Sequence, residues 1–289
     1  MNLYKLNDIK AILKKYNLSP LKQLGQNFLH NEKVLNDIAD SIEITKDDNV
    51  LEIGPGMGAL TNVLAQKAKR VVSVEIDKGM VGVLKDILKD QSNVNIVHQD
   101  FLKIQEQDIY DFFDGEPFKV CANLPYYITT PIIMKLLESG LQYDKMSFLI
   151  QKEVAQRLSA KPNSKSYNSL SIAVEYYADV KIAFSVARGN FYPVPNVDSV
   201  VAVLSPHCKP VDVENEKQFF EFIRNCFNQR RKTLVNNILN SYSDIDKMQL
   251  EELLTALNIN KSIRAEALNI QEFAAIFSEF KELNKIFVS

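Results

Sequence analysis

Two spacings of apolar residues alternate along this chain. Short apolar runs occur at Asn49–Ile53, Arg70–Asp77, Val94–His98, Phe118–Val120 and Met146–Gln151, and again at Val180–Val186 and Val197–Leu204. These runs predict strands, the one at Phe118–Val120 short and buried. Between them lie stretches with apolar residues three and four apart, such as Ala59 to Lys67 and Ile128 to Leu137, which predict helices. Strands alternating with helices imply an α/β fold with a doubly wound, mainly parallel sheet. Before the first strand, Ile9, Ile12, Leu13 and Tyr16 predict a short amphipathic helix, and Glu32 to Ile42 a second. From Lys217 onward the pattern is helical only, with Phe219, Phe220, Ile223 and Phe227 on one stripe and Leu250, Leu253, Leu254, Phe273, Ile276 and Phe277 further on. The turn-like Ser205-Pro206-His207-Cys208-Lys209-Pro210 separates the two regimes. Two domains are therefore expected, residues 1–205 and a small helical domain at 206–289.

The candidate chemistry falls at the ends of the predicted strands, where open α/β sheets bind their ligands. The first strand runs into Gly54-Pro55-Gly56-Met57-Gly58 and then a helix. Glycines there allow a tight turn and close approach to a ligand, and the helix N-terminus adds partial positive charge. The spacing is G-x-G-x-G, which differs from the dinucleotide fingerprint and disfavours a nicotinamide-dependent oxidoreductase. Glu75 ends the second strand, where a carboxylate can accept both hydroxyls of a ribose. Turn and acid together point to a nucleoside-containing cofactor. Asp100 follows the third strand and is placed to accept from an adenine amine, although a solvated acid would read the same way. Asn123-Leu124-Pro125-Tyr126 follows the fourth. Pro125 stiffens this loop, which offers an amide oxygen, a carbonyl and an aromatic ring to a flat, polar-edged group such as a nucleobase. An ordinary strand-to-helix turn is the plainer alternative. Phe191 and Tyr192 sit on a proline-stiffened loop, either as packing residues or as rings that stack on a base. The polar segment Lys161 to Ser169 reads as mobile or ordered by a partner. Gly25-Gln26-Asn27-Phe28-Leu29 says little by itself.

A formal net charge of −2 gives no global reason to expect nucleic acid, so any such contact must be local. The densest cationic run is Arg230-Arg231-Lys232, which suits phosphates or a solvated face equally. Cys121, Cys208 and Cys226 lack metal-ligand spacing and fit a reducing cytosol, so neither a metal nor disulfides are expected. No apolar run approaches membrane-spanning length. A cytoplasmic monomer without membrane attachment is expected.

Taken together, these motifs resemble the small-subunit rRNA adenine N6,N6-dimethyltransferases (the KsgA type). The resemblance spans nearly the whole chain. It runs through Gly25 to Leu29, Glu52 to Gly56, Glu75 to Asp77, Gln99-Asp100, Asn123 to Tyr126, Leu149 to Val154, Pro162 to Lys165, Phe191 to Ser199 and Phe227 to Thr233. The large-subunit enzymes of similar fold more often carry Ile in place of Leu124 and lack the Gln229-Arg230-Arg231-Lys232-Thr233 run in this form. The resemblance implies a Rossmann-like methyltransferase fold and S-adenosylmethionine as cofactor. The substrate it implies is two adjacent adenosines in an rRNA loop of the immature small subunit. Asn27, Leu29, Gly54, Gly56, Glu75, Asp100 and Asn123 are then expected to line the cofactor pocket. Asn123, Leu124, Tyr126 and Phe191 are expected at the target base, and Arg230, Arg231 and Lys232 on rRNA. A binding role in ribosome assembly, with catalysis secondary, is the competing class.

Overall fold

The computed structural model describes residues 3–283; residues 1, 2 and 284–289, which the expected domain limits include, lie outside the described residues. The strands are β1 (Phe28–Leu29), β2 (Asn49–Ile53), β3 (Arg70–Glu75), β4 (Val94–His98), β5 (Phe118–Asn123), β6 (Tyr143–Gln151), β7 (Ala178–Val186), β8 (Phe191–Tyr192) and β9 (Ser199–Pro206). Seven of them form one sheet in the order β4-β3-β2-β5-β6-β9-β7. From β4 to β6 all neighbours are parallel, and β9 runs antiparallel to β6.

Burial explains that order. Every residue of β2 is buried, as are five of the six in β5, which is what a central parallel strand covered on both faces requires. No residue of β4 is fully buried, and it lies at the edge. The strand order reverses between β2 and β5. Connections leave these two neighbours in opposite directions and open a crevice at their C-terminal ends. Helices Ala59–Lys67, Lys78–Ile87 and Thr129–Glu138 follow β2, β3 and β5. The second of these starts where the Asp77 side chain accepts the N–H groups of Gly79 and Met80.

β1 and β8 make a separate antiparallel pair, with Phe28 opposite Tyr192 and Leu29 opposite Phe191. This brings the Gly25 to Leu29 segment beside the Phe191 loop. Leu29 and Phe191 enter one apolar cluster with Leu35, Ile38, Val186 and Val201.

The contacts divide the chain into two units, Met1–Ala155 with Val180–Pro206, and Gln156–Asp179 with His207–Ser289. The first carries the sheet. The second is helical, built on Ser169–Tyr177, Glu216–Cys226, Leu234–Ser241, Lys247–Ala256 and Ile270–Leu283. Its core holds Phe219, Phe222, Phe273, Phe277 and Phe280, and the Tyr176 ring packs edge-on to Phe220 at 5.2 Å. This differs from the expected contiguous division at 205/206. The Ser169–Tyr177 helix leaves the sheet unit and joins the C-terminal helices, because Tyr176 is buried among their aromatic rings. The Lys161 to Ser169 segment, expected to be mobile or ordered by a partner, is tied down within the same unit. Asn163 N–H donates to Glu266 O at 2.8 Å, and the Tyr167 hydroxyl to Leu268 O at 2.9 Å.

Candidate active site

A cleft opens at the C-terminal ends of β2, β3 and β5. Of the residues expected at the site, Asn27, Leu29, Gly54, Gly56, Glu75, Asp100, Asn123, Leu124 and Tyr126 all line it. The topology explains the gathering: β2, β3 and β5 end side by side and deliver Gly54, Glu75 and Asn123 to one edge.

Gly54 has φ +69°, and its N–H donates to Val74 O at 2.9 Å, so the chain turns sharply as it leaves β2. Gly56, at φ +57°, lies against the Phe28 ring; an added Cβ would meet a ring carbon at 3.2 Å. Its N–H donates to Glu75 Oε2 at 3.0 Å, and Asp77 N–H donates to Oε1 at 2.8 Å. The Glu75 carboxylate is thus aimed by backbone on both sides, and each oxygen keeps a lone pair for a ligand. Burial pushes its carboxyl up from the usual range, against the pull of the backbone N–H groups of Asp77, Gly56 and Ile76. Asp100 commits Oδ1 to Leu102 N–H at 3.0 Å, while Oδ2 stands 3.9 Å from Lys103 Nζ.

Asn123 Nδ2 donates to Asn27 O at 3.1 Å. A carbonyl oxygen can only accept, so this contact fixes which end of the amide is nitrogen. Oδ1 is left without a hydrogen-bond partner among the described residues. Leu124 is buried, its N–H donating to Leu149 O. Tyr126 is half-buried, and its hydroxyl lies 2.9 Å from Ser199 Oγ.

Phe191 requires a correction. A ring that stacks on a base needs an accessible face, and Phe191 is 1% exposed within the apolar cluster and absent from the cleft lining. Its pairing opposite Leu29 turns it into the core. Arg230, Arg231 and Lys232 are exposed but belong to the helical unit, so none of them lines the cleft. Arg230 Nε is paired with Glu266 Oε2 at 2.8 Å, which leaves Arg231 and Lys232 as the freer cations of the run.

Other residues at the site escape a motif-by-motif reading. Gln26 clasps the N-terminal segment to the sheet: its Nε2 donates to Asp77 Oδ2 at 2.8 Å and its Oε1 accepts Leu21 N–H at 2.9 Å. Glu52 lies beneath the glycine turn at 1% exposure. Its Oε2 accepts from Ser73 Oγ at 2.7 Å, while Oε1 has no hydrogen-bond partner among the described residues. Burial pushes its carboxyl up to about 7. An acid within an otherwise apolar strand, two residues before a glycine turn, was the available signal.

The family pattern of the ribosomal RNA adenine dimethylases matches residues 18–282. The ribosomal RNA small subunit methyltransferase A of Bacillus pumilus is 48% identical over 272 residues, covering 92% of this chain and 93% of the relative. That of Alkaliphilus metalliredigens is 44% identical, covering 93% and 95%. Among solved structures, a dimethyladenosine transferase from Plasmodium falciparum superposes with a TM-score of 0.73 at 27% identity, over 88% of this chain and 97% of the other. A 23S rRNA methyltransferase, ErmE, superposes at 0.66 with 25% identity, over 87% and 98%. With the pattern spanning nearly its whole length and such relatives covering more than nine-tenths of it, the chain belongs to the ribosomal RNA adenine dimethylase family.

Proposed function

We infer that this chain transfers methyl groups from S-adenosylmethionine to the exocyclic amines of two adjacent adenosines in a loop of small-subunit rRNA. The product is N6,N6-dimethyladenosine, made in the cytoplasm during biogenesis of the small subunit. One observation carries the reading. An amide oxygen with no hydrogen-bond partner among the described residues stands at the same sheet edge as a glycine turn and two carboxylates suited to a nucleoside.

The residues present fit S-adenosylmethionine. Glu75 is pre-aimed with free lone pairs for a ribose diol, Asp100 keeps one oxygen for an adenine amine, and the turn at Gly54 and Gly56 lets the backbone approach a ligand closely. When bound, the cofactor supplies a methyl group already activated on a sulfonium. The chain's own task is then the nucleophile, because the lone pair of adenine's exocyclic amine is delocalised into the ring. Asn123 Oδ1 and the Leu124 carbonyl accept its hydrogens, favour a more tetrahedral nitrogen and stabilise the positive charge that develops there. Tyr126 holds the base in place, and fixed orientation supplies the rest of the acceleration. After the first methylation only one hydrogen remains on nitrogen, so one acceptor must yield to a methyl group. A single-stranded loop offers an unstacked base at little cost. Arg231 and Lys232 supply phosphate contacts.

The test is mass spectrometry of adenosines from small-subunit and large-subunit rRNA, with the gene present, deleted and restored. Dimethyladenosine lost from the small subunit alone, and regained on restoration, is the expected result. Loss from the large subunit instead would overturn the assignment.

A further inference from the structure

Ser199 opens β9 and is fully buried at 0% exposure. Its Oγ lies 2.9 Å from the Tyr126 hydroxyl, and neither hydroxyl has another hydrogen-bond partner among the described residues. Tyr126 is half-buried and lines the cleft. A buried hydroxyl left unbonded is costly, so the Ser199 Oγ keeps the Tyr126 hydroxyl as its partner, and that bond holds the tyrosine ring in place.

The serine is itself seated on a rigid frame. It pairs with Gln151 in the register of β6 and β9. Its neighbour Asp198 accepts Arg188 N–H at 2.9 Å through the side chain and Lys152 N–H at 3.3 Å through the backbone carbonyl. The Arg188 guanidinium donates to Asn196 O at 3.3 Å, closing the loop that leads into the strand. Tyr126 therefore has its hydroxyl committed to the scaffold. Burial also pushes its pKa up from the ordinary tyrosine value.

We propose that Ser199 is a positioning residue for methyl transfer, setting the plane of the Tyr126 ring against which the target adenine is held. This rests on the functional reading above. It joins two segments far apart in sequence, the Asn123 to Tyr126 loop and the start of β9, through one bond.

The experiment is a double-mutant cycle on the full chain with S199A, Y126F and the double variant. Single-turnover transfer to unmethylated small subunits is measured with both substrates saturating, alongside cofactor affinity by calorimetry. Each single change removes the same bond, so each is expected to slow transfer by about 3- to 10-fold, the range for one hydrogen bond. The double variant should be no slower than the slower single, with cofactor affinity and the KM for small subunits as in wild type. Full rate in S199A, or effects that multiply in the double variant, would overturn the role. Should S199A not fold, Y126F keeps the ring and removes only its oxygen: a full rate overturns the proposal, and a slowed rate with unchanged cofactor affinity upholds it. A wild-type chain unable to methylate small subunits would defeat the functional reading itself, a different result from a failed cycle.

Discussion

Asn123 Nδ2 donates a 3.1 Å hydrogen bond to the backbone carbonyl of Asn27, a residue 96 positions earlier in the chain. The bond gives a polar side chain at a strand end one defined orientation, with nitrogen turned to the protein. It also explains why the Gly25 to Leu29 segment belongs to the site, since its contribution there is a main-chain oxygen.

Asn123→Asp tests this orientation. A carboxylate keeps an acceptor for the amine but cannot donate to Asn27 O, and it sets two oxygens against each other. Turnover should fall by at least as much as for removal of a transition-state hydrogen-bonding group, on the order of 10²–10³-fold. Single-turnover rates decide it. An Asp variant within a few-fold of wild type would mean the amide is not held by Asn27.

Glu75 is aimed by two backbone N–H donors. Glu75→Ala should weaken S-adenosylmethionine binding by about 1.5–3 kcal/mol, the range for hydrogen bonds to charged groups. Glu75→Gln should also weaken it, since an amide nitrogen must face Gly56 N–H or Asp77 N–H. Calorimetry on folded variants is the check, and unchanged affinity in both would remove Glu75 from the cofactor site.

Much of the sheet could be read from the apolar runs, because central parallel strands are buried on both faces and leave near-continuous runs such as Val50 to Ile53, interrupted only by Glu52. Strand ends locate a ligand edge, which is why the glycine turn, Glu75, Asp100 and Asn123 could be grouped before any geometry. What was hidden depends on long-range pairing. The Ser169–Tyr177 helix joins the C-terminal helices through rings such as Phe219 and Phe220 that lie more than forty positions away in sequence. Phe191 could face either way on its loop until its pairing with Leu29 fixed the ring in the core. Ser199 carries no signal of its own, because a serine at a strand start is common and its partner lies 73 positions away.

Glu52 makes stability depend on pH. Its carboxyl is pushed from 4.5 to about 7 in the fold, so the folded state holds a proton that the unfolded chain releases. Its contribution is greatest below pH 4.5, declines as pH rises to about 7, and is constant above. The whole decline amounts to about 3 kcal/mol, because holding a proton that the unfolded chain releases costs about 1.36 kcal/mol for each pH unit crossed. Glu52→Gln removes this titration. Denaturant melts should show the wild type losing stability relative to the variant across that window; a pH-independent difference would mean Glu52 does not titrate there.

The cationic run should act unequally. Arg230 is already paired with Glu266, while Arg231 and Lys232 are exposed. Each lost phosphate contact should flatten the slope of log affinity against log salt by about 0.7–0.9. Alanine at Arg231 and Lys232 together is expected to change the slope more than twice as much as Arg230→Ala. Binding of small subunits across a salt series measures it, and a full slope in the double variant would make the run a solvated face.

The central claim is that Asn123 Oδ1 stabilises charge developing on the target amine. Asn123→Ala removes it, and the direct measurement is single-turnover methyl transfer to unmethylated small subunits with RNA and cofactor both saturating. The account predicts a loss on the order of 10²–10³-fold in rate, with RNA affinity close to wild type because phosphate contacts dominate it. A rate within a few-fold of wild type would contradict the account and leave Asn123 an ordinary residue of the turn.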